Sequence, residues 1–450
     1  MKQPSVRWAL ASLALSMLMP SLDTSIANAA LPALAQAFSA SFQDVQWIVL
    51  AYLLSVTTMI VSAGRLGDAM GRRRVLLAGI GVFTVASLLC GVAPTLGMLL
   101  AARFAQGLGA AVMMALAVAF VGDTVPKARV GSAMGLLGTM SAVGTTLGPS
   151  LGGLLIAGFD WRAIFLVNVP VGLLTLGLAY RHLPVDALGA GDPKPEAVRF
   201  DTLGTLLLAL TLAAYALAMT LGRGHFGLLN IVLLLATLCG AGLIVHVERR
   251  AASPLIPVAT FRDPALRAGL VMSAIVFAVM MTTLVVGPFY LVRSLGLSTV
   301  GVGAVLSAGP LVASLTGVPA GRIVDRFGAR RVTIAGLAGI TLGASLLCLL
   351  PERFGVAGYI APIVVMTASY ALFQAANNTA LMTIIRPEQR GAMSGMLGLS
   401  RNLGLMTGAS VMGAVFAAAG MRFTFGVAAV LIAVALVIAV RIHSHPPTTA

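Results

Sequence analysis

Fourteen stretches of about 20 apolar residues, each closed by a short polar or charged break, run the length of this chain. Few folds accommodate that pattern. A helix of about 20 residues crosses the hydrocarbon of a bilayer, and only helices and closed barrels satisfy their own backbone hydrogen bonds there. The stretches cover 8–34, 44–63, 75–94, 97–121, 131–156, 162–180, 202–221, 228–246, 268–291, 298–320, 332–350, 357–384, 391–419 and 423–441. With 59% hydrophobic and only 10% charged residues, a chain of 450 residues cannot clothe a soluble surface. The sequence therefore reads as an all-α polytopic membrane protein with 14 transmembrane helices.

The net charge of +15 invites a search for nucleic acid, but its distribution points elsewhere. With the N-terminus inside, 22 of the 29 Lys and Arg residues fall at cytoplasmic ends or loops, five are external, and Arg103 and Arg401 lie within helices. That bias sets orientation, places both termini in the cytoplasm and requires an even helix count. The first apolar run is too long for a cleaved signal and carries Asp23 and Asn28, so it reads as a retained helix. Cys90, Cys239 and Cys348 all fall in apolar runs and suggest neither a disulfide framework nor a metal site. No phosphate-binding Gly-xxxx-Gly-Lys-Ser/Thr loop is present, so the expected energy source is an ion or substrate gradient, with no cofactor.

The chain also repeats itself. Gly64 to Gly79 reads GRLGDAMGRRRVLLAG, and Gly321 to Gly336 reads GRIVDRFGARRVTIAG, with nine identities in sixteen positions at an offset of 257. Each copy falls between two apolar runs and is expected to form a short charged hairpin. Its glycines permit a tight turn, and its aspartate (Asp68 or Asp325) is placed to cap the next helix and pair with neighbouring arginines. Further on, Gly135, Leu137, Gly138, Gly144, Gly148, Ser150 and Gly153 recur 260 positions later as Gly395, Leu397, Gly398, Gly404, Gly408, Ser410 and Gly413. The expected organisation is a six-helix bundle at 1–182, a cytoplasmic linker at 183–201, two extra helices at 202–254, a second six-helix bundle at 255–442 and a short cytoplasmic tail at 443–450.

Several of these motifs carry a resemblance. Gly64, Leu66, Asp68, Gly71, Arg72 and Arg73 resemble the loop between helices two and three of the major facilitator superfamily, with Ala69 where that family usually has a basic residue. Arg103, Gln106 and Gly107 are similar to its fourth-helix signature. Leu22 to Pro32, with Asp23 and Asn28, and Gly144-xxx-Gly148-Pro149-xx-Gly152-Gly153 resemble signatures of its fourteen-helix drug:proton antiporter family. Asp160-Trp161-Arg162 and Phe165 to Gly172 extend that likeness, which covers nearly the whole chain. Departures from that family's pattern are Ser25, where threonine is usual, and Val292, near which the family usually carries glutamine; between the repeats, Ala409 stands in place of Pro149, which would confine the helix bend to the first half.

The resemblance implies two parallel six-helix repeats, the major facilitator fold, and a proton-coupled exporter of lipophilic cationic, zwitterionic or neutral compounds. It is not an enzyme on this reading. Asp23, the only one of 14 acidic residues well inside a helix, and Arg103 would form the proton-coupling site. The competing reading of Asp23 is a structural carboxyl satisfied by neighbouring groups. A carboxyl in hydrocarbon is costly unless paired, by about 2.5–3.5 kcal/mol on insertion scales. Asn28, Tyr52, Gln106, Tyr290, Gln374, Asn377, Asn378 and Arg401 would face substrate. Gly64, Asp68, Gly71, Arg72, Arg73, Gly321, Asp325, Gly328 and Arg330 would form cytoplasmic gating loops. Gly144, Gly148, Pro149, Gly152 and Gly153 would form the antiporter helix. The expected partners are a small-molecule substrate, protons and the bilayer of the cell (inner) membrane, with no nucleic acid; a periplasmic adaptor or outer-membrane partner stays open. An exporter of an anionic or neutral metabolite is the second reading, and a receptor or channel the third. The charge bias predicts that a reporter fused after Ala450 reads cytoplasmic and one inserted at Arg223 reads external; an external C-terminal signal would overturn the fourteen-helix count.

Overall fold

Hydrocarbon offers no outside partner to a backbone amide, and the apolar runs accordingly coil into helices. The computed structural model describes residues 6–124, 130–184, 202–221, 227–248, 263–384 and 390–442. Within them lie α1 (Val6–Ala37), α2 (Phe42–Met70), α3 (Arg72–Gly91), α4 (Leu96–Thr124), α5 (Val130–Gly158) and α6 (Ala163–His182). They are followed by α7 (Thr202–Thr220), α8 (Leu228–Glu248), α9 (Pro264–Arg293), α10 (Thr299–Phe327), α11 (Ala329–Leu349) and α12 (Pro351–Ile384). The last two, α13 (390–419) and α14 (421–442), are one apolar run broken at Gly420. Without that break, Met396–Arg441 would be a helix of 46 residues, about 69 Å long against a hydrocarbon core of about 30 Å. The φ of 75° at Gly420 folds it into two spans. Each of the fourteen expected spans coincides with one of these helices, its ends shifted by a few residues. The linker over 185–201 and the tail over 443–450 lie outside the described residues.

The duplicated motif departs from expectation. Gly64 to Met70 and Gly321 to Phe327 are not loops but the last turns of α2 and α10. The whole turn is a single residue, Gly71 or Gly328, with φ of 97° and 81°. Glycine is needed there, because a Cβ makes positive φ costly. Each turn glycine also donates its N–H four residues back, Gly71 to Gly67 O at 2.9 Å and Gly328 to Val324 O at 2.8 Å. The two copies thus share one backbone geometry. The N-cap positions of α3 and α11 are held not by the expected aspartates but by the turn glycines, which have no side chain to cap with. An N-cap must sit extended directly before its helix, whereas Asp325 lies inside α10, exposed. The backbone of Asp68 lies likewise inside α2, and its side chain is outside the described residues.

The described helices cluster into two compact units, one of 1–215 with 232–255 and one of 216–231 with 256–450. In the first, α5 lies against α1 with almost no side chain between them. A Cβ placed on Gly144 would stand 2.6 Å from Leu18 O, and one on Gly148 would collide with the Ser25 side chain. Ser21 and Ser141 hydroxyls bond at 2.7 Å, and Ser25 Oγ donates to Thr145 O at 2.8 Å. The second unit repeats the device. Carbonyls of Ala274 and Ala278 on α9 press on Gly404 and Gly408 of α13, the counterparts of Gly144 and Gly148. Helices α5 and α13 differ in their winding. Where α5 has buried Pro149, α13 has a π-helical turn over Gly408–Met412. Ala409 removes the proline, and one wide turn takes its place in the helix. A side chain at Gly148 must push α1 away, so Gly148→Leu should cost about 1–3 kcal/mol or more. Thermal unfolding in detergent checks this, with Gly138→Leu as the control, since nothing lies within 4 Å of a Cβ at Gly138.

Candidate functional site

Asp23 sits on α1 with 1% of its surface exposed, and two neighbouring helices supply its three partners. Arg103 on α4, itself 0% exposed, sets Nη1 2.5 Å from Asp23 Oδ2. Gln106, one turn along α4, donates from Nε2 to Asp23 Oδ1 at 2.8 Å. Asn168 on α6 donates from Nδ2 to the same oxygen, also at 2.8 Å. Three charge-assisted or amide donors on one carboxylate satisfy an ion that hydrocarbon would otherwise reject.

Arg103 is held as firmly as the acid it serves. Its Nε donates to Ile48 O on α2 at 3.0 Å, its Nη1 to Gln106 Oε1 at 2.6 Å, and its guanidinium lies 4.4 Å from the Tyr52 ring and 5.7 Å from that of Phe165. Gln106 is further tied to α3 through Ser87 Oγ at 2.8 Å and, more loosely, the Cys90 thiol at 3.8 Å. As an ionised pair the site is net neutral. Removing one member of such a buried pair strands the other, at a cost of about 3–5 kcal/mol. Asn168, Ser87 and Cys90 were not among the expected site residues. The available signals were an amide inside the apolar Phe165 to Gly172 stretch and a hydroxyl and a thiol three residues apart on one face of α3.

The other expected site residues are placed less tightly. Asn28 is buried on α1, where its amide nitrogen donates to Thr24 O at 2.9 Å and its Oδ1 has no partner. In the second unit, Tyr290 stacks on Tyr359 at 6.2 Å. Asn377 donates to Gly269 O on α9 at 3.2 Å, a helix-to-helix bond, while the next residue, Asn378, is exposed and Gln374 is half-buried. Arg401 is half-buried on α13 within electrostatic reach of Tyr370. These five form no cluster like that around Asp23. Of the gating residues, Arg73 donates to the Tyr180 carbonyl at the end of α6 and lies 5.3 Å from its ring, Arg72 is half-buried and Arg330 is exposed.

Comparison with known proteins agrees with this architecture. The sequence profile of the Major Facilitator Superfamily matches residues 13–290 and again 268–450. The chain is 32% identical over 407 residues to the multidrug resistance protein Stp of Mycobacterium tuberculosis, covering 90% of this chain and 74% of that one. It is 29% identical over 400 residues to the riboflavin transporter RibZ of Clostridioides difficile, covering 89% and 86%. The fold matches the xylose transporter XylE from E. coli with a TM-score of 0.67 at 14% identity, over 97% of each chain. The chain therefore belongs to the major facilitator superfamily, in its multidrug-efflux family, and is a multi-pass membrane transporter rather than an enzyme.

Proposed function

We propose that this transporter exports lipophilic monocationic, zwitterionic or neutral compounds in exchange for protons, by alternating access, from a cell membrane in which both termini face the cytoplasm. The observation that carries the reading is the Asp23–Arg103 pair, the sole carboxyl well inside a helix, fully enclosed and partnered by α4 and α6. A proton arriving there converts a neutral pair into an uncompensated guanidinium. That change is large enough to bias one helix arrangement over another, which is what coupling requires. The one-residue turns at Gly71 and Gly328, with arginines following each, would serve as cytoplasmic hinges of the two repeats. Gly144, Gly148, Pro149, Gly152 and Gly153 would keep α1 and α5 moving as one body.

The second reading is export of an anionic or neutral metabolite. It is favoured by the two embedded arginines set against one embedded carboxylate, and by the name of the C. difficile relative. Growth of an efflux-deficient host expressing the chain, across toxic cations, zwitterions and organic acids, separates the two. For the mechanism, Asp23→Asn should abolish uptake driven by an imposed proton gradient in inverted vesicles. Substrate affinity of that variant should also lose its dependence on pH. Wild type and Asp23→Asn affinities that rise and fall together with pH would remove Asp23 from the coupling role.

A further inference from the structure

The two amides beside Asp23 approach one and the same oxygen. Gln106 Nε2 and Asn168 Nδ2 each lie 2.8 Å from Oδ1, while Arg103 Nη1 holds Oδ2. We infer that Asn168 is a positioning residue which, with Gln106, reserves Oδ1 as an acceptor and directs an incoming proton to Oδ2, so that protonation and release of Arg103 are a single event. This rests on the reading of Asp23 as the coupling carboxyl.

An amide NH2 group donates and cannot accept. A proton on Oδ1 would therefore face two N–H donors unless an amide turned over. Gln106 cannot turn. Its Nε2 also donates to Ser87 Oγ at 2.8 Å, and Ser87 in turn spends its own proton on Phe83 O at 2.7 Å. Gln106 Oε1 meanwhile accepts from Arg103 Nη1 at 2.6 Å; turning the amide would set NH2 against guanidinium. Asn168, 1% exposed, stands where α6 resumes after Val167, so it reaches Asp23 from a different helix than Gln106 does. The titratable groups facing the site are Arg103 from α4, Tyr52 from α2 and Cys90 from α3. From α5, the hydroxyl of Ser141 and the carbonyl of Thr145 reach α1, and α6 adds the Phe165 ring. With Oδ1 occupied, the proton forms its O–H bond at Oδ2, the Arg103 Nη1 bond to that oxygen is lost, and Oδ1 becomes the carbonyl oxygen with both amide donors in place.

Infrared difference spectra of the lipid-reconstituted protein on acidification test this directly. The protonated Asp23 C=O band is the one that disappears in Asp23→Asn. In Asn168→Leu that carbonyl, Oδ1, keeps one donor of two, so the band should move to higher wavenumber. Half-protonation should then need about tenfold less acid, because a donor to the carboxylate has gone. Thr175→Val, which removes the Thr175 hydroxyl contact to Met19 across the same α6–α1 interface, should leave both readouts unchanged. Asn168→Val reports the same quantities if the leucine variant does not insert. A C=O band that stays at its wild-type position in the Asn168 variant, or that moves as much in Thr175→Val, would overturn the inference while leaving Asp23 as the coupling carboxyl. The absence of any band that depends on Asp23 would instead overturn the coupling reading, and this inference with it.

Discussion

Hydrocarbon gives a polar group no second chance at a hydrogen bond, and nearly every feature of this protein follows from that constraint. It makes the backbone helical through nearly all of each span. At the turns at Gly71 and Gly328, one residue long, the backbone N–H is still bonded four residues back. The constraint turns hydroxyls inward on their own helices, as Thr24 donates to Pro20 O, Thr57 to Leu53 O and Thr175 to Val171 O. Without a strong hydrophobic force between helices, it also leaves close packing of small residues as the means of holding α1 to α5 and α9 to α13.

The same constraint explains why the charged site is so completely partnered. Asp23 and Arg103 each use donors or acceptors from several helices, because a pair lacking even one partner would be expensive at that depth. Such a network is rigid in one protonation state and poorly satisfied in the other. A binding surface is tuned by shape, but this site is tuned by the count of donors around one carboxylate.

The two repeats share their turns and glycine contacts but not their chemistry. Carbonyl approach to Gly144 from Leu18 and to Gly404 from Ala274 relates α1 to α9 at an offset of 256, which aligns Asp23 with the buried Val279. The acid is therefore confined to one half. At matching places α5 carries a proline and α13 a π-turn. Geometry is retained where helices must approach, and side-chain chemistry has diverged where they need not.

Periodic apolar length determined the fourteen helices by itself, because span length is a local property of the chain, and identities at fixed offsets disclosed the repeat. The pairing partners of Asp23 were partly legible for the same reason: depth along a helix is countable, and Arg103 and Gln106 lie three residues apart on one face. Tertiary structure alone decided the rest. Asn168 is 145 residues from Asp23, and only the docking of α6 on α1 brings the two together. Likewise, nothing local distinguishes Asn377, bonded to α9, from its exposed neighbour Asn378, since a helix turns about 100° per residue and only its packed neighbours determine which face is inside. The charged motif read as a loop from its glycines and arginines. The fold instead kept it helical up to one glycine, because each residue kept in the helix bonds its own backbone groups within the segment.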